Sequence, residues 1–441
     1  MKRIVLKQYQ IVHRIDHWFK RHLTETGMLV LYFMIAAAVF GVDTSKTNTY
    51  QLFVFLLVLL IFSMLGSLFN RLTVNLKREL PRYGTVGETL HYTIHIEKTS
   101  LNSYDGLALY ERLTTTAPTI KQLEQFYNIS RLPWYKRNIS FRLWRDYLTY
   151  SRGGMIAKLN LPDIKQQISI NHSFIPLRRG VLHFDSAIIA KPDTLGLFCT
   201  LIKTGEAQNC IILPQRYPIK PLNLTGKRKY QAGGVSLANS VGNSYEFMAL
   251  RDYHQGDSLR SIHWKSYAKL GKLIVKDYQD EYFVRRALVL DTFIGHSSNI
   301  QFEAAVSVAA SLASSEHYTE ALLDLLFVGE DSYCFTVGRG VDQLSHLQEI
   351  LASVQDGSEH SFKKLSDMVL ARMALCSSFV CVLMHWDTER QLFIQQLLAN
   401  GMPVAVFLLH DGHLSIHDCE NRPSHFYLLN YHYLKEQLAA I

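Results

Sequence analysis

Residues 286–293 read RALVLDTF, an apolar run that ends at an aspartate. Three more apolar runs follow along the chain, ALLDLLFVG, SFVCVLMHW and PVAVFLLH, and a helical pattern separates each run from the next. Strands that are apolar throughout are covered on both faces, and alternation of strands with helices is typical of a parallel sheet. The sequence therefore predicts a doubly wound α/β domain, which together with the segment before it occupies residues 221–441.

Asp291 and Asp387 each end a predicted strand, and ligands of doubly wound sheets bind at the carboxyl ends of the strands. The predicted architecture resembles von Willebrand A-type domains, in which the first strand ends in D-x-S-x-S and binds Mg²⁺ through oxygen ligands. Here Phe293 and Gly295 stand at the two serine positions, so two oxygen ligands are missing. We therefore expect no cofactor, and Mg²⁺ at Asp291 is the alternative.

Residues 243–281 combine charge and aromatic side chains around a glycine turn: NSYEFMALRDYHQGDSLRSIHWKSYAKLGKLIVKDYQDE. Arginine and tryptophan dominate protein interfaces, so one interpretation is a docking or ligand surface. Its candidate residues are Arg251, Tyr253, Gly256, Asp257, Arg260, His263, Trp264 and Lys265. In the structural alternative, nearby arginines pair with a Gly256–Asp257 turn and Trp264 packs against the sheet.

This stretch resembles the signature of a prokaryotic family called domain of unknown function fifty-eight, with L-R-x-Y-x-x-G-D, R-x-I-x-W and L-x-V-K-x-x-x-x-E. The matching positions are Gly242, Phe247, Leu250, Arg251, Tyr253, Gly256, Asp257, Arg260, Ile262, Trp264, Ala268, Leu273, Val275, Lys276 and Glu281. Further landmarks upstream are Arg179-Gly180, Pro192-Asp193 (in reversed order), Gly196-Leu197-Phe198 and Leu213-Pro214.

The resemblance implies a membrane-anchored protein found beside MoxR-type AAA+ ATPases, von Willebrand A proteins and transglutaminase-like proteins. It implies no established enzymatic activity, but a role as partner or adaptor in ATPase-driven assembly, maturation or envelope maintenance. The sequence contains no G-x-S-x-G elbow, no phosphate-binding P-loop and no G-x-G-x-x-G motif. We therefore expect a non-catalytic scaffold. The alternative is a divalent-metal-dependent binding or hydrolytic protein that uses Asp291, Asp387 and His263.

Residues 72–220 alternate polar and apolar positions in short runs bounded by turn residues, which predicts an antiparallel β-sandwich. An aromatic and basic insertion at about 125–154 interrupts this rhythm. We interpret the insertion as a long hairpin packed on the sandwich. Contact with a membrane or partner is one alternative, and stacking of single-stranded nucleic acid is another. On balance we expect no nucleic-acid partner.

Residues 1–71 contain two uncharged apolar runs, at about 27–42 and 52–69, which predict a transmembrane helical hairpin. The basic segment 4–23 before it is expected to lie as an amphipathic helix on lipid headgroups. Basic residues flank both runs while the turn between them offers only Lys46. The positive-inside rule then places both termini and the globular body in the cytoplasm, beneath a bacterial inner membrane.

Six cysteines without a C-x-x-C pair predict reduced thiols. The predicted fold class is multidomain α+β.

Overall fold

The computed structural model is a mixed α/β structure with several sheets and, among the residues it describes, 11 helices and 17 strands. The description leaves out residues 1, 41–46, 70–72, 99–105, 115–118, 128–139, 163–166, 221–223, 225–246, 256, 258, 260–261, 279–284, 296–298, 316–321, 338–340, 358–360 and 416–418.

The helices are α1 (Lys2–His22), α2 (Glu25–Phe40), α3 (Thr47–Leu68), α4 (Ile120–Phe126), α5 (Phe141–Ser151), α6 (Trp264–Leu270), α7 (Asn299–Ala313), α8 (Val341–Ser353), α9 (Phe362–Arg372), α10 (Thr388–Ala399) and α11 (Leu434–Ala440). The strands are β1 (Val74–Glu79), β2 (Tyr83–Thr85), β3 (Leu90–Lys98), β4 (Ala108–Leu113), β5 (Leu159–Asn160), β6 (Gln167–Phe174), β7 (Gly180–Pro192), β8 (Cys199–Thr204), β9 (Gln208–Leu213), β10 (Phe247–Asp252), β11 (Ile274–Tyr278), β12 (Arg285–Leu290), β13 (Leu322–Val328), β14 (Ser332–Val337), β15 (Ser378–Leu383), β16 (Val404–His410) and β17 (His425–Asn430).

The C-terminal half forms a six-stranded sheet in the order β14-β13-β12-β15-β16-β17, which we call the α/β sheet. Only β14, at one edge, is antiparallel to its neighbour. Apolar residues of α7, α8 and α11 pack on one face, and those of α9 and α10 pack on the other. Every residue of β15 is buried, as expected for a strand covered on both faces. The prediction of a parallel sheet with helices on both faces is confirmed except at the edge strand β14, which is antiparallel to β13.

The middle of the chain forms two sheets that share one apolar core, which we call the two-sheet body. One sheet has the order β1-β3-β6, and the other has the order β2-β9-β7-β4-β5, with β8 also paired to β7. The prediction of an all-antiparallel arrangement is wrong at one place, because β2 pairs with β9 in parallel. No hairpin turn joins β2 to β9, because β2 follows the loop after β1. The connection therefore does not force these two strands to run antiparallel.

The aromatic and basic insertion is helical in its described parts, α4 and α5, and our interpretation of it as a β-hairpin is wrong there. Ser140 caps α5 by accepting a hydrogen bond from the Leu143 amide at 3.3 Å. Trp144, Tyr147 and Leu148 are buried, at the i, i+3 and i+4 spacing of a helix face. They pack in one cluster with Leu6 of α1, so the insertion covers one side of the N-terminal helix.

The helices α2 and α3 are both apolar, but among the residues that the structure describes only 48–68 are long and apolar enough to cross a membrane by length and composition. The loop at residues 193–198 of the two-sheet body contacts the start of α2 and the last turns of α3. The Asp193 carboxylate accepts hydrogen bonds from the Leu197 and Phe198 amides and, at 2.6 Å, from Ser63 of α3. The Thr24 amide donates to the Leu197 carbonyl at 3.0 Å. The landmark around Asp193 therefore joins the apolar helices to the two-sheet body.

Gly27→Ala should weaken this joint. A Cβ at Gly27 would lie 2.1 Å from the Leu197 carbonyl oxygen, so the backbone of α2 or of the loop must move. We expect overpacking to lower the free energy of unfolding of the detergent-solubilised chain by about 1–3 kcal/mol, measured by chemical denaturation. Gly66→Ala in α3 is the matched control: no atom lies within 4 Å of its Cβ position, so it should be neutral or slightly stabilising. If both variants change the free energy of unfolding equally, the close contact between Gly27 and the Leu197 carbonyl does not matter for stability.

A second joint connects the two-sheet body to the α/β sheet. The buried guanidinium group of Arg179 pairs with Glu303 of α7, and its Nη2 donates to the Val354 carbonyl at 2.7 Å. The same group lies 5.0 Å from the ring centroid of Phe302. Arg179 is the first residue of the Arg179-Gly180 landmark, so two of the upstream landmarks lie where parts of the fold meet.

Candidate functional site

The signature stretch folds as a small unit of its own, a two-stranded antiparallel ladder of β10 and β11 with α6 between them. The Tyr253 amide donates to the Leu273 carbonyl at 3.0 Å, and the His263 amide donates to the Ile274 carbonyl at 2.8 Å. These bonds tie both ends of the connection to β11. They leave α6 to project from the ladder.

Arg251 and Asp257 hold the turn after β10. Nη1 and Nη2 of Arg251 donate to the two carboxylate oxygens of Asp257 at 2.7 and 2.8 Å, and the His254 amide adds a bond of 2.9 Å. The hydrogen bonds from Arg251, followed by that from His254, hold the pKa of Asp257 well below its usual range. Arg251 and Asp257 therefore form the ion pair at the turn that the structural alternative predicts. Gly256 and Arg260, also candidates, lie outside the described residues.

Six of the seven residues of α6 are exposed and Ser266 is half-buried, so none of its residues, all of them described, is buried. Trp264 is 60% exposed and Leu270 is 66% exposed. The rings of Trp264 and Tyr267 meet edge to face, with centroids 6.1 Å apart. The prediction that Trp264 packs against the sheet does not fit this exposure. We call the following exposed residues the Trp264 surface: Leu259, Trp264, Lys265, Tyr267 and Leu270.

His263 precedes α6, and its ring nitrogen Nδ1 lies 2.6 Å from the Ser266 hydroxyl. This contact orients the imidazole towards its own helix. The helix ends at Gly271, which has a left-handed backbone with φ of 65° that a glycine adopts without strain. The local sequence thus explains where α6 begins and ends, but not what its exposed side contacts.

Asp291 lies at the carboxyl end of β12, between β13 and β15, where the strand order reverses. Its side chain is fully buried and accepts hydrogen bonds from Arg390 of α10: Nε to Oδ2 at 2.7 Å and Nη2 to Oδ1 at 3.1 Å. The Phe293 amide donates to Oδ1 at 3.1 Å. Burial opposes the charge on Arg390, but the negative charge of Asp291 and the bonds to it outweigh burial and raise the pKa of Arg390.

Asp387 also contacts Arg390, so the structure brings the two strand-end aspartates of the metal hypothesis together around an arginine. Asp387 caps α10 by accepting from the Arg390 amide at 3.0 Å. Within the described ranges, no group of three or more His, Cys, Asp or Glu side chains is placed to hold a metal ion. The guanidinium group of Arg390 occupies both carboxylate oxygens of Asp291 and also contacts Asp387.

The sequence that forms the turn, α6 and β11 lies within a match to a known family model. Residues 249–376 match Protein of unknown function DUF58. The DUF58 match contains the Trp264 surface, the strands β12 to β14 and Asp291, and it stops before β15. Arg390 lies beyond it. The match thus covers the exposed surface and one partner of the buried ion pair.

A relative from Bacillus subtilis (strain 168), Uncharacterized protein YeaD, is 24% identical over 277 residues, which cover 62% of this chain and 67% of the relative. Among solved structures, a CARDB domain from Pyrococcus furiosus matches 32% of this chain and 89% of its own, with 8% identity and a TM-score of 0.19. A β-glucuronidase from Bacteroides uniformis matches 77% of this chain and 36% of its own, with 9% identity and a TM-score of 0.17. Scores this low support no structural argument.

Arg390 is the site residue that the sequence interpretation missed. It lies three residues after Asp387, and the apolar residues Phe393, Ile394 and Leu397 follow it at helical spacing. An arginine is almost never buried without a partner, so its position on the inner side of α10 was a usable signal for a buried acidic residue elsewhere.

Proposed function

We propose that the chain is a membrane-anchored, non-catalytic scaffold that docks a cytoplasmic protein on the Trp264 surface. The observation that carries this proposal is the exposure of Trp264 and its neighbours on a helix that buries nothing. Binding hot spots are enriched in tryptophan and tyrosine, and both Trp264 and Tyr267 are exposed on this helix. The family resemblance makes a MoxR-type AAA+ ATPase the candidate partner, and von Willebrand A or transglutaminase-like proteins are the further candidates.

The α/β sheet supports the proposal of a von Willebrand A-like domain. Its strand order has the first strand, β12, at the centre, with β13 and β14 on one side and β15, β16 and β17 on the other. Arg390 pairs with the buried Asp291, so this carboxylate has a cationic partner within the chain. That arrangement favours a role in protein contact over metal-dependent hydrolysis.

The proposed anchor is a hairpin of α2 and α3 in the bacterial inner membrane, with both termini and the globular body in the cytoplasm. The two helices pack against each other and leave large apolar side chains exposed along their length, including Phe33, Phe40, Phe55 and Phe62. Water would penalise so much apolar surface, whereas lipid would not. The basic residues before α2 and after α3 give the orientation.

The partner should offer apolar groups for Trp264, Tyr267 and Leu270, and acidic groups for Lys265. Both lysines of α6, Lys265 and Lys269, are exposed, and the helix carries no acidic residue. Charges of this kind at the rim of an interface mainly speed association, while the aromatic anchor sets the dissociation rate. Salt should therefore slow association with little effect on dissociation.

Trp264→Ala should weaken binding of a purified MoxR-type ATPase from the same genome by about tenfold or more, because truncating an interface tryptophan removes a dominant anchor. Binding is measured by biolayer interferometry with the full-length chain in detergent. Leu270→Ala should act in the same direction. Leu392→Ala on α10, also an exposed leucine, is the matched control and should leave affinity unchanged. The proposal fails if Trp264→Ala binds like the parent chain while keeping the same thermal stability.

A further inference from the structure

A cavity of about 490 Å³ lies between α1, α5 and the strands β4 and β8. We call it the α1 pocket. Its lining contains four arginines and three histidines and, in the described part of the chain, no aspartate or glutamate. The arginines are Arg14, Arg21, Arg112 and Arg152. Four arginines around one concave site are an unusual accumulation of positive charge, because like charges repel one another.

Three arginines of the α1 pocket, Arg21, Arg112 and Arg152, lie close enough to affect one another. Burial, followed by the charges of Arg21 and Arg112, lowers the pKa of Arg152. Burial and the charge of Arg112 likewise lower the pKa of Arg21. Burial, reinforced by neighbouring positive groups, lowers the pKa of His17 to about 4. The pocket is therefore a partly desolvated site in which a negative charge would be stabilised.

The protein itself neutralises little of this charge. Arg112 Nε lies 3.6 Å from Asp185, and Asp16 of α1 pairs instead with Lys20 at 2.9 Å. Arg21 Nε and His13 Nε2 are buried and have no hydrogen-bond partner among the described residues. A buried donor without an acceptor costs free energy, so the Nε–H group of Arg21 calls for an acceptor from outside the chain.

We propose that the α1 pocket binds a phosphate group. Guanidinium groups match the oxygens of phosphate with paired hydrogen bonds, and the cavity has room for a phosphate and the group attached to it. Inorganic phosphate and the headgroup of an anionic lipid share this chemistry. Neither source depends on the Trp264 surface, so this proposal and the docking proposal can fail separately.

The surroundings of the pocket favour a lipid as the source. Ile11, Val12, Ile15 and Trp18 of α1 are all exposed, and their spacing places them along one side of the helix. Trp18 also lines the pocket, and α2 begins three residues after α1 ends. An exposed apolar stripe with tryptophan beside arginines is typical of a helix lying at the level of lipid headgroups.

The test is isothermal titration of the full-length chain in a maltoside detergent with dioctanoyl phosphatidic acid, dioctanoylglycerol and inorganic phosphate. Phosphatidic acid should bind about tenfold or more tightly than dioctanoylglycerol, which lacks only the phosphate. Affinity for inorganic phosphate equal to that for phosphatidic acid identifies a soluble source. Tighter binding of phosphatidic acid than of inorganic phosphate identifies the lipid. Equal affinities for phosphatidic acid and dioctanoylglycerol would overturn the proposal.

Arg21→Gln and Arg152→Gln should each weaken phosphatidic acid binding by about tenfold, because each removes a charge-assisted hydrogen bond. Arg152→Gln should also raise the thermal stability of the ligand-free chain, because it removes a repelling charge; a merely structural arginine would lower it. Arg142→Gln, on α5 with a side chain 84% exposed, is the control and should leave affinity within about twofold. Unchanged affinity in both pocket variants would also overturn the proposal.

Discussion

Replacing Arg390 with alanine is expected to lower the free energy of unfolding by about 3–5 kcal/mol, because it leaves the buried carboxylate of Asp291 without its cation. Arg390 is only 4% exposed, and its ring contact with Phe362, 4.5 Å from the centroid, would be lost as well. Chemical denaturation of the full-length chain in detergent measures the change. Hydrogen exchange in β12 and β15, which flank the pair, should rise.

Arg142→Ala provides the control, since its pair with Asp146 is exposed and 3.8 Å long. Its removal should cost less than about 1 kcal/mol. A double-mutant cycle of Arg390→Met with Asp291→Asn should show a positive coupling, because the double variant leaves no unpaired charge in the core. Equal costs for Arg390→Ala and Arg142→Ala would show that the ion pair is not buried in solution.

The same preparation separates the scaffold from the metal-dependent alternative. Both carboxylate oxygens of Asp291 accept hydrogen bonds from Arg390, so millimolar Mg²⁺ should leave the thermal stability of the parent chain unchanged. A rise in thermal stability with Mg²⁺ that disappears in Asp291→Asn would instead support the metal site. It would require Arg390 to move away from the aspartate.

The α/β sheet could be predicted from the sequence because its signal is local. Strands such as β13 and β16 are almost wholly buried, and that burial appears as apolar residues at every position except Asp324 in β13 and His410 at the end of β16. The pairing of Asp291 with Arg390 could not be predicted in the same way, since the two residues are 99 positions apart. Nothing in either neighbourhood specifies the other, and only the strand order brings them together.

The insertion shows a different limit. Its aromatic residues suit an exposed hairpin, a membrane surface and a helix face equally well, since each environment accepts tyrosine and tryptophan. The segment forms the helix α5 because Trp144, Tyr147 and Leu148 then pack against α1. The exposure of Trp264 could not be predicted from the sequence for the same reason. A tryptophan in a short amphipathic segment is equally compatible with a buried core and with an interface. Burial depends on the partner surface, which a single sequence does not contain.

Arg78→Ala should produce a second large loss, also about 3–5 kcal/mol, in the two-sheet body. Arg78 Nε donates to both oxygens of Glu111 at 3.0 and 3.1 Å, and Nη1 donates to the Glu206 carbonyl at 2.7 Å. The two side chains are 1% and 0% exposed, so water cannot replace the lost arginine. Chemical denaturation measures the loss, and hydrogen exchange should rise in β1, β4 and β7.

Lys203→Ala is the control within the same body, because its pair with Asp185 is 4.0 Å long and exposed on the lysine side. It should cost less than about 1 kcal/mol. Arg78→Met combined with Glu111→Leu should recover most of the stability lost in Arg78→Ala, since a well-packed apolar pair replaces the charges. If the double variant is as unstable as Arg78→Ala, packing around the pair rather than the unpaired Glu111 carboxylate is responsible. Exchange in β12 and β15 should not change, because Arg78 and Arg390 belong to separate cores joined through Arg179.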